Sequence, residues 1–171
     1  EKEINETIEA IKESKRPIIL AGGGIRSSKT NELLTRFAHT FKIPVVVSLL
    51  GKDSFPNDDP LYVGFIGTYG NRYANLALAN CDLLLALGTR LDSRQTATPS
   101  TFARAAKKIH VEIDETEIDN TLTADININS HLKDFFEKIF EVTEESPSGK
   151  YKDWMNYIKD LKNKFEYIIE A

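Results

Sequence analysis

Two arginines and an aspartate alternate directly after an apolar segment, where Arg90, Asp92 and Arg94 follow the run over residues 82–87. A short, unbroken aliphatic run predicts a buried strand of a parallel sheet. Because ligands bind outside the carboxyl ends of such strands, these charged side chains are expected where a ligand would lie. Two guanidinium groups and a carboxylate suit a ligand rich in phosphate and hydroxyl groups, such as a nucleotide. The alternative is a solvated turn with a surface ion pair.

Three consecutive glycines at positions 22–24 follow a second apolar run over residues 17–21. They let a ligand approach the backbone closely, or they form a plain turn between a strand and a helix. The spacing Gly-x-Gly-x-x-Gly is absent, and the next strand ends in Leu49 and Leu50 instead of an acidic residue. Both features argue against ordinary NAD binding.

Two further strand ends are candidates for ligand contact. The glycine-rich segment 64–70 either cradles a pyrophosphate at the start of a helix near Asn71 or bends sharply without touching a ligand. Glu112, at the end of a predicted strand, could accept hydrogen bonds from ribose or adenine, whereas Asp114 is expected to cap the next helical turn. We expect the glycine-rich, arginine-rich and glutamate-bearing corners to meet along one rim.

No set of residues predicts a catalytic centre or a metal site. The three histidines, at positions 39, 110 and 131, have no metal-ligand spacing, and His110 lies within a strand and is interpreted as structural. Neither a Gly-x-Ser-x-Gly elbow nor a Gly-Lys-Ser/Thr sequence is present. Cys81 is the single cysteine, which excludes an intrachain disulfide and a cysteine-based zinc site.

The apolar patterns alternate between the periods of strands and helices. Strands are predicted over residues 17–21, 44–48, 82–87, 108–113 and 124–129. Helices are predicted over 3–14, after the candidate N-caps Ser27 and Ser28, after Asn71, after Ser130, and over 151–169. This alternation predicts an α/β fold, a doubly wound, Rossmann-like, three-layer parallel sheet of five to six strands with helices on both faces. Residues 51–70 read as a long connection of the kind that is functional or packed against a partner.

Composition limits the class of protein. The net charge of −4 and the isoelectric point near 5.5 argue against a nucleic-acid or membrane-surface partner. No apolar stretch reaches the roughly 20 residues that cross a bilayer, and no signal peptide is evident, so a cytoplasmic location is expected. A start without Met and a length of 171 residues raise the expectation of a piece cut from a larger protein.

Six segments, in this order, resemble the central domain of thiamine diphosphate-dependent enzymes, in particular the acetolactate (acetohydroxyacid) synthase large-subunit branch. They are residues 16–24, 43–51, 55–60, 67–75, 82–94 and 109–114. The resemblance implies a central domain over residues 1–143, followed by a linker and a C-terminal connector helix over 144–171. It also implies that this chain is a non-catalytic part of an enzyme that decarboxylates a 2-oxo acid and transfers the product to an acceptor.

The same resemblance implies cofactors and partners. Thiamine diphosphate and magnesium would be held by flanking domains of the parent, a homodimer or homotetramer, and not by this chain. FAD, without an obvious redox role, is the candidate ligand of this domain; an adenine nucleotide without flavin and an empty site are the alternatives. Two other hypotheses remain open: a ligand-free docking domain and a stand-alone nucleotide-binding protein. The stand-alone protein is disfavoured because the sequence has no Cys-x-x-Cys pairs for zinc and no acidic residue after the second strand to bind a ribose.

Carried over position by position, the resemblance assigns nucleotide contacts to one set of residues. They are Gly22, Gly23, Gly24, Leu49, Leu50, Gly67, Thr68, Tyr69, Gly70, Gly88, Arg90, Asp92, Arg94, Glu112 and Ile113. The chain departs from the family pattern at three places. The family's Arg-Phe-Asp-Asp-Arg reads Arg-Leu-Asp-Ser-Arg over 90–94, its Met-His pair is Thr68-Tyr69, and its Gly-Asp pair is Ser130-His131.

Overall fold

The computed structural model describes residues 1–143 and 150–165, and its centre is one parallel sheet. Six strands lie side by side in the order β3-β2-β1-β4-β5-β6, and every neighbouring pair is parallel. The strands are β1 Pro17–Ala21, β2 Val45–Val47, β3 Tyr62–Phe65, β4 Leu83–Leu87, β5 Lys107–Glu112 and β6 Ile126–Asn129. The doubly wound α/β prediction is confirmed, because the strand order reverses between β1 and β4.

In the described part of the chain, seven helices connect or flank the strands, and the longer ones have apolar residues at helical spacing. They are α1 Lys2–Glu13, α2 Gly23–Ser27, α3 Asn31–Phe41, α4 Arg72–Ala79, α5 Ser93–Thr96, α6 Leu132–Glu141 and α7 Lys152–Phe165. In α1, for example, Ile4, Ile8 and Ile11 form a buried stripe. Three single 3-10 turns, over 49–51, 99–101 and 115–117, follow strands or connect them.

The central strands are buried on both faces. Every residue of β1 and of β4 is buried, which explains why both read as unbroken aliphatic runs. Helix α6 contacts α1 and α3, while α4 packs against α7. Crossovers between parallel strands are right-handed in nearly all proteins, and with the observed strand order this hand puts the two groups of helices on opposite faces of the sheet.

An aromatic cluster joins α3 to α6. The ring centroid of Phe37 lies 5.6 Å from that of Phe136 and 6.0 Å from that of Phe135, in the tilted arrangements that aromatic pairs prefer. All three rings are fully buried. The guanidinium of Arg36 lies 4.0 Å from the centroid of Phe140 and covers the edge of the cluster.

Helix α7 is attached to the amino end of the sheet. The indole Nε1 of Trp154 donates to the carbonyl of Pro17 at 2.8 Å, and the Tyr151 hydroxyl donates to the carbonyl of Ile11 at 2.9 Å. The predicted helix over 151–169 is therefore confirmed up to residue 165. The linker predicted at 144–149 and the helix end at 166–169 lie outside the described residues, and the domain boundary at 143 stays a prediction.

The connection predicted over residues 51–70 is wrong in part, because it contains the edge strand β3. This strand has only four residues, and its pairing with β2 shifts register between Val45 and Val46. Gly64, within it, has a φ of +153°. A strand this short, interrupted by glycine and only partly buried at both ends, lacks the apolar run that identifies the other strands.

The predicted helix caps were also wrong at two places. Ser27 and Ser28 end the short helix α2, where their hydroxyls donate to the carbonyls of Gly23 and Gly24 at 3.1 and 2.7 Å, and α3 begins only at Asn31. The N-cap position of α6 is occupied by residue 131 and not by Ser130. Asn71 does precede α4, but its side chain accepts from the Phe65 amide at 3.0 Å instead of capping the helix.

Candidate functional site

The ends of three central strands meet along one edge of the sheet. The Gly22 amide donates to the Leu87 carbonyl and the Gly24 amide to the Gly88 carbonyl, both at 3.0 Å. The Gly88 amide in turn donates to the Val111 carbonyl at 2.9 Å. These bonds place the glycines after β1, the turn after β4 and the end of β5 next to one another, as the expected common rim requires.

Close backbone contact explains most of the glycines at this edge. A Cβ on Gly22 would lie 2.2 Å from the Gly88 carbonyl oxygen, and one on Gly24 would lie 2.8 Å from the Gly88 Cα. Gly88 itself has a φ of +59°. Gly23 differs, because its nearest neighbour would be Leu50 at 3.3 Å. Gly22, Gly24 and Gly88 are thus required by the crossing of two turns, whether or not a ligand binds.

A cleft of about 310 Å³ opens at the same edge, between the segment after β2 and the turn after β4. It brings together seven of the predicted residues: Leu49, Leu50, Gly67, Thr68, Tyr69, Asp92 and Arg94. Four further lining residues were not assigned ligand contacts individually from the sequence: Ser48, Phe65, Ile66 and Gln95. Phe65 and Ile66 lie in the unrecognised strand β3 and directly after it, and no pattern in the sequence singles out Gln95.

The wall of the cleft is apolar and open to solvent. Leu49 is 55% exposed, Leu50 is 69% exposed and Tyr69 is 85% exposed. Large apolar side chains this exposed, grouped on one edge, indicate a surface that binds a partner or a ligand.

The charged side of the cleft is formed by α5. The Asp92 carboxylate caps this short helix by accepting from the amides of Arg94 and Gln95 at 2.9 and 3.3 Å. The Arg94 guanidinium lies 3.7 Å from Asp92 and is 85% exposed. Asp92 is therefore held by the start of α5, whereas the Arg94 guanidinium makes only this exposed contact among the described residues and is accessible to an anion.

Arg90 lies on the same turn but does not line the cleft. Its Nε is 3.5 Å from a carboxylate oxygen of Glu117, with which it forms an ion pair at the surface. Gly70 also lies outside the lining, because it packs against the backbone of β3, with a Cβ there 2.6 Å from the Phe65 carbonyl oxygen. Arg90 and Gly70, both predicted to contact the ligand, therefore lie outside the cleft lining.

The residues after β5 form their own turn. Oε1 of Glu112 accepts from the amides of Ile113 and Asp114 at 2.9 and 3.2 Å, and neither Glu112 nor the half-exposed Ile113 lines the cleft. Asp114 caps the 3-10 turn as expected, and hydrogen bonds from the hydroxyl and amide of Thr116 hold the pKa of Asp114 below its ordinary value.

Most amides of the glycine-rich segment already donate hydrogen bonds within the protein. The Gly67 amide donates to the Asn75 side chain at 3.0 Å, the Gly70 amide to the Gly67 carbonyl at 2.9 Å, and the Thr68 amide to the Arg94 carbonyl at 3.3 Å. A pyrophosphate cradle needs amides that are free to donate. The structure therefore favours the alternative in which this segment bends sharply and contributes surface to the cleft.

Within the described ranges, no three histidine, cysteine, aspartate or glutamate side chains lie close enough together to hold a metal ion. No helix in those ranges is long and apolar enough to cross a membrane.

Comparison with known families decides which fold family this sheet represents. Residues 4–139 match the family described as "Thiamine pyrophosphate enzyme, central domain". The chain belongs to this family. The chain is also similar in sequence to acetolactate synthase large subunits, which confirms the resemblance stated from the ordered motifs.

Relatives of the central domain come from archaea, algae and plants. A probable acetolactate synthase large subunit of Methanocaldococcus jannaschii is 39% identical over 160 residues, which cover 94% of this chain and 27% of the relative. The acetolactate synthase large subunit of Cyanidium caldarium is 37% identical, over 92% of this chain and 28% of the relative. Acetolactate synthase 1, chloroplastic, of Zea mays is 36% identical, over 95% of this chain and 26% of the relative. The chain thus spans about a quarter of each.

Proposed function

We propose that this central domain belongs to a thiamine diphosphate- and magnesium-dependent enzyme that decarboxylates a 2-oxo acid and transfers the product, as an acetolactate synthase does. The family match and the names of the relatives support this proposal. The chain covers only 27% of the archaeal relative, which leaves room for the flanking domains. Thiamine diphosphate and magnesium are held there, in a cytoplasmic homodimer or homotetramer.

Within that enzyme we propose a non-catalytic role for this chain: it binds FAD or another adenine nucleotide in the cleft at the carboxyl edge. The observation that carries this proposal is the pairing of an exposed apolar wall, formed by Leu49, Leu50 and Tyr69, with an exposed guanidinium, that of Arg94. A nucleotide has two parts that complement these: a flat ring system that can pack on apolar side chains, and a phosphate chain that a guanidinium can bind.

The residues present fit such a ligand. The two leucines and Tyr69 offer a surface for an isoalloxazine or adenine ring, and Arg94 offers charge-assisted hydrogen bonds to phosphate. At about 310 Å³ the cleft holds one ring system, and the phosphates would lie toward Arg94. A bound flavin would take no part in a redox step. This chain's residues would bind its ring and exclude water from one face of it.

Ligand-free docking is the second candidate. The same exposed leucines, with Tyr69 and Ile113, would bury apolar area against a neighbouring domain. Titration of the purified chain with FAD, ADP and FMN, followed by flavin fluorescence and calorimetry, separates the two. Binding of FAD and ADP, with FMN weaker, supports an adenine nucleotide site. Binding of none of the three, together with failed assembly of a full-length parent that carries Leu50→Asp, supports docking.

The activity of the parent is tested on the full-length protein. Expression of the whole reading frame should give turnover of pyruvate that requires both thiamine diphosphate and magnesium. We expect no turnover from the isolated chain, since its sequence predicts no catalytic centre. Turnover by the isolated chain, or a parent indifferent to thiamine diphosphate, would contradict the proposal.

A further inference from the structure

A buried histidine lies directly beneath the turn that carries Arg94. His110 is in β5, is 1% exposed, and is paired in register with Ala86 of β4 and Asn127 of β6. Its Nε2 lies 2.7 Å from the carbonyl oxygen of Thr89. Because a carbonyl oxygen can only accept, Nε2 must carry the proton, and the neutral ring is the Nε2–H tautomer.

The other ring nitrogen of His110, Nδ1, makes no hydrogen bond within the described residues. This atom is buried, and so is Oδ1 of Asn127 on the neighbouring strand, which also has no hydrogen-bond partner among residues 1–143 and 150–165. Burying a polar atom without a partner is unfavourable, and an aliphatic residue would suit this interior strand position better. What the imidazole provides that an aliphatic residue lacks is the hydrogen bond to Thr89.

Thr89 begins the turn that forms the charged wall of the cleft. It follows Gly88, and its hydroxyl donates to Oε1 of Gln95 at 2.7 Å, which ties it to α5. Leu91, two residues further, is 2% exposed and has a φ of +54°. A turn that holds a bulky residue in the left-handed region persists only where surrounding contacts determine its shape.

We propose that His110 is a positioning residue for the nucleotide cleft. Its Nε2–H holds the Thr89 carbonyl inside the protein and so keeps the peptide between Thr89 and Arg90 in one orientation. That orientation sets where α5 begins, and with it the position of the Arg94 guanidinium. The inference rests on the proposed nucleotide-binding function and goes beyond it, since His110 itself does not touch the cleft.

Two substitutions separate the hydrogen bond from the volume of the ring. His110→Phe keeps a planar ring of similar size and removes the donor, whereas His110→Gln retains an N–H that can reach the Thr89 carbonyl. In the full-length parent we expect His110→Phe to weaken binding of FAD and ADP about tenfold, and His110→Gln to restore binding to within about threefold of the wild type. A purely structural role would lower the melting temperature without changing the affinity of the folded protein.

A second measurement reads the tautomer of His110 in the wild type. In ¹⁵N-histidine-labelled wild type, with the His110 signals assigned through His110→Gln, the ring nitrogens should report the Nε2–H tautomer. An Nδ1–H tautomer, or unchanged nucleotide affinity in folded His110→Phe, would overturn the role of His110. Failure of the wild type to bind either nucleotide would instead show that the proposed nucleotide function is wrong.

Discussion

Gly22 lies against Gly88 so closely that a β-carbon on Gly22 would be 2.2 Å from the Gly88 carbonyl oxygen. The contact joins the turn after β1 to the turn after β4, where the order of the strands reverses. It also explains why a glycine-rich turn occurs without the spacing of a dinucleotide fingerprint, since here the glycines admit another part of the backbone.

Gly22→Ala should therefore destabilise the protein far more than Gly23→Ala. Any side chain at position 22 forces two backbone segments apart, and overpacking of this kind typically costs about 1–3 kcal/mol or more. At position 23 the new methyl group would meet only Leu50, at 3.3 Å, and we expect a change within about 1 kcal/mol. Urea denaturation of the two variants measures both; equal free energies of unfolding would contradict the packing argument.

Arg94→Ala should weaken nucleotide binding about tenfold or more. A charge-assisted hydrogen bond contributes roughly 1.5–3 kcal/mol, and about 1.4 kcal/mol corresponds to a factor of ten. Arg104→Ala is the matched control, because Arg104 is an exposed arginine that lines a different cleft, near α7. Calorimetric titration with FAD and ADP gives the affinities. An unchanged affinity in Arg94→Ala would remove this guanidinium from the site.

Arg90→Ala tests whether the ion pair with Glu117 has any part in binding. Arg90 does not line the cleft in the structure, so its loss should change nucleotide affinity less than the loss of Arg94. Exposed ion pairs contribute little to stability, and we expect a change in the free energy of unfolding below about 1 kcal/mol. An effect on affinity as large as that of Arg94→Ala would place Arg90 against the ligand, as the family resemblance implies.

Cys81 should make stability fall at alkaline pH. Burial, and then the neighbouring Asp82 carboxylate, raise the pKa of the Cys81 thiol from 9.0 to about 12. The unfolded chain therefore loses the thiol proton first, and the stability contributed by Cys81 is full below pH 9.0 and is lost as the pH rises toward about 12. Urea midpoints should fall more steeply with pH in the wild type than in Cys81→Ala. Parallel slopes would contradict this.

Trp154→Phe should loosen α7 from the sheet. The indole N–H bond to the Pro17 carbonyl is buried, and its loss leaves that carbonyl without its donor, at a cost of about 1–3 kcal/mol. Tyr157→Phe is a suitable control, because Tyr157 is 41% exposed and stacks on Trp154 without a hydrogen bond to the sheet. Thermal unfolding of both variants measures the difference, and equal melting temperatures would show that the bond is unimportant.

Strands with a long apolar run could be predicted from the sequence, whereas β3 could not. β1 and β4 lie between two layers of helices, so each must be aliphatic at every position, and that pattern is visible locally. β3 lies at the edge with four residues and a glycine, and its identity depends on pairing with β2. The role of Ser27 could not be predicted either, because a serine hydroxyl can accept from an amide at the start of a helix or donate to a carbonyl at its end. Here it donates to the Gly23 carbonyl.

By itself, the amino-acid sequence determined the parallel α/β sheet and the family, because these follow from periodicity and from short motifs in order. Only the tertiary structure decided which side chains and backbone amides at the carboxyl edge of the sheet are accessible to a ligand. It placed Arg94 in the cleft and Arg90 in an ion pair, and it used the amides of Gly67 and Gly70 for internal hydrogen bonds. Such assignments depend on distances between residues that are far apart in the chain, and local patterns carry no information about those distances.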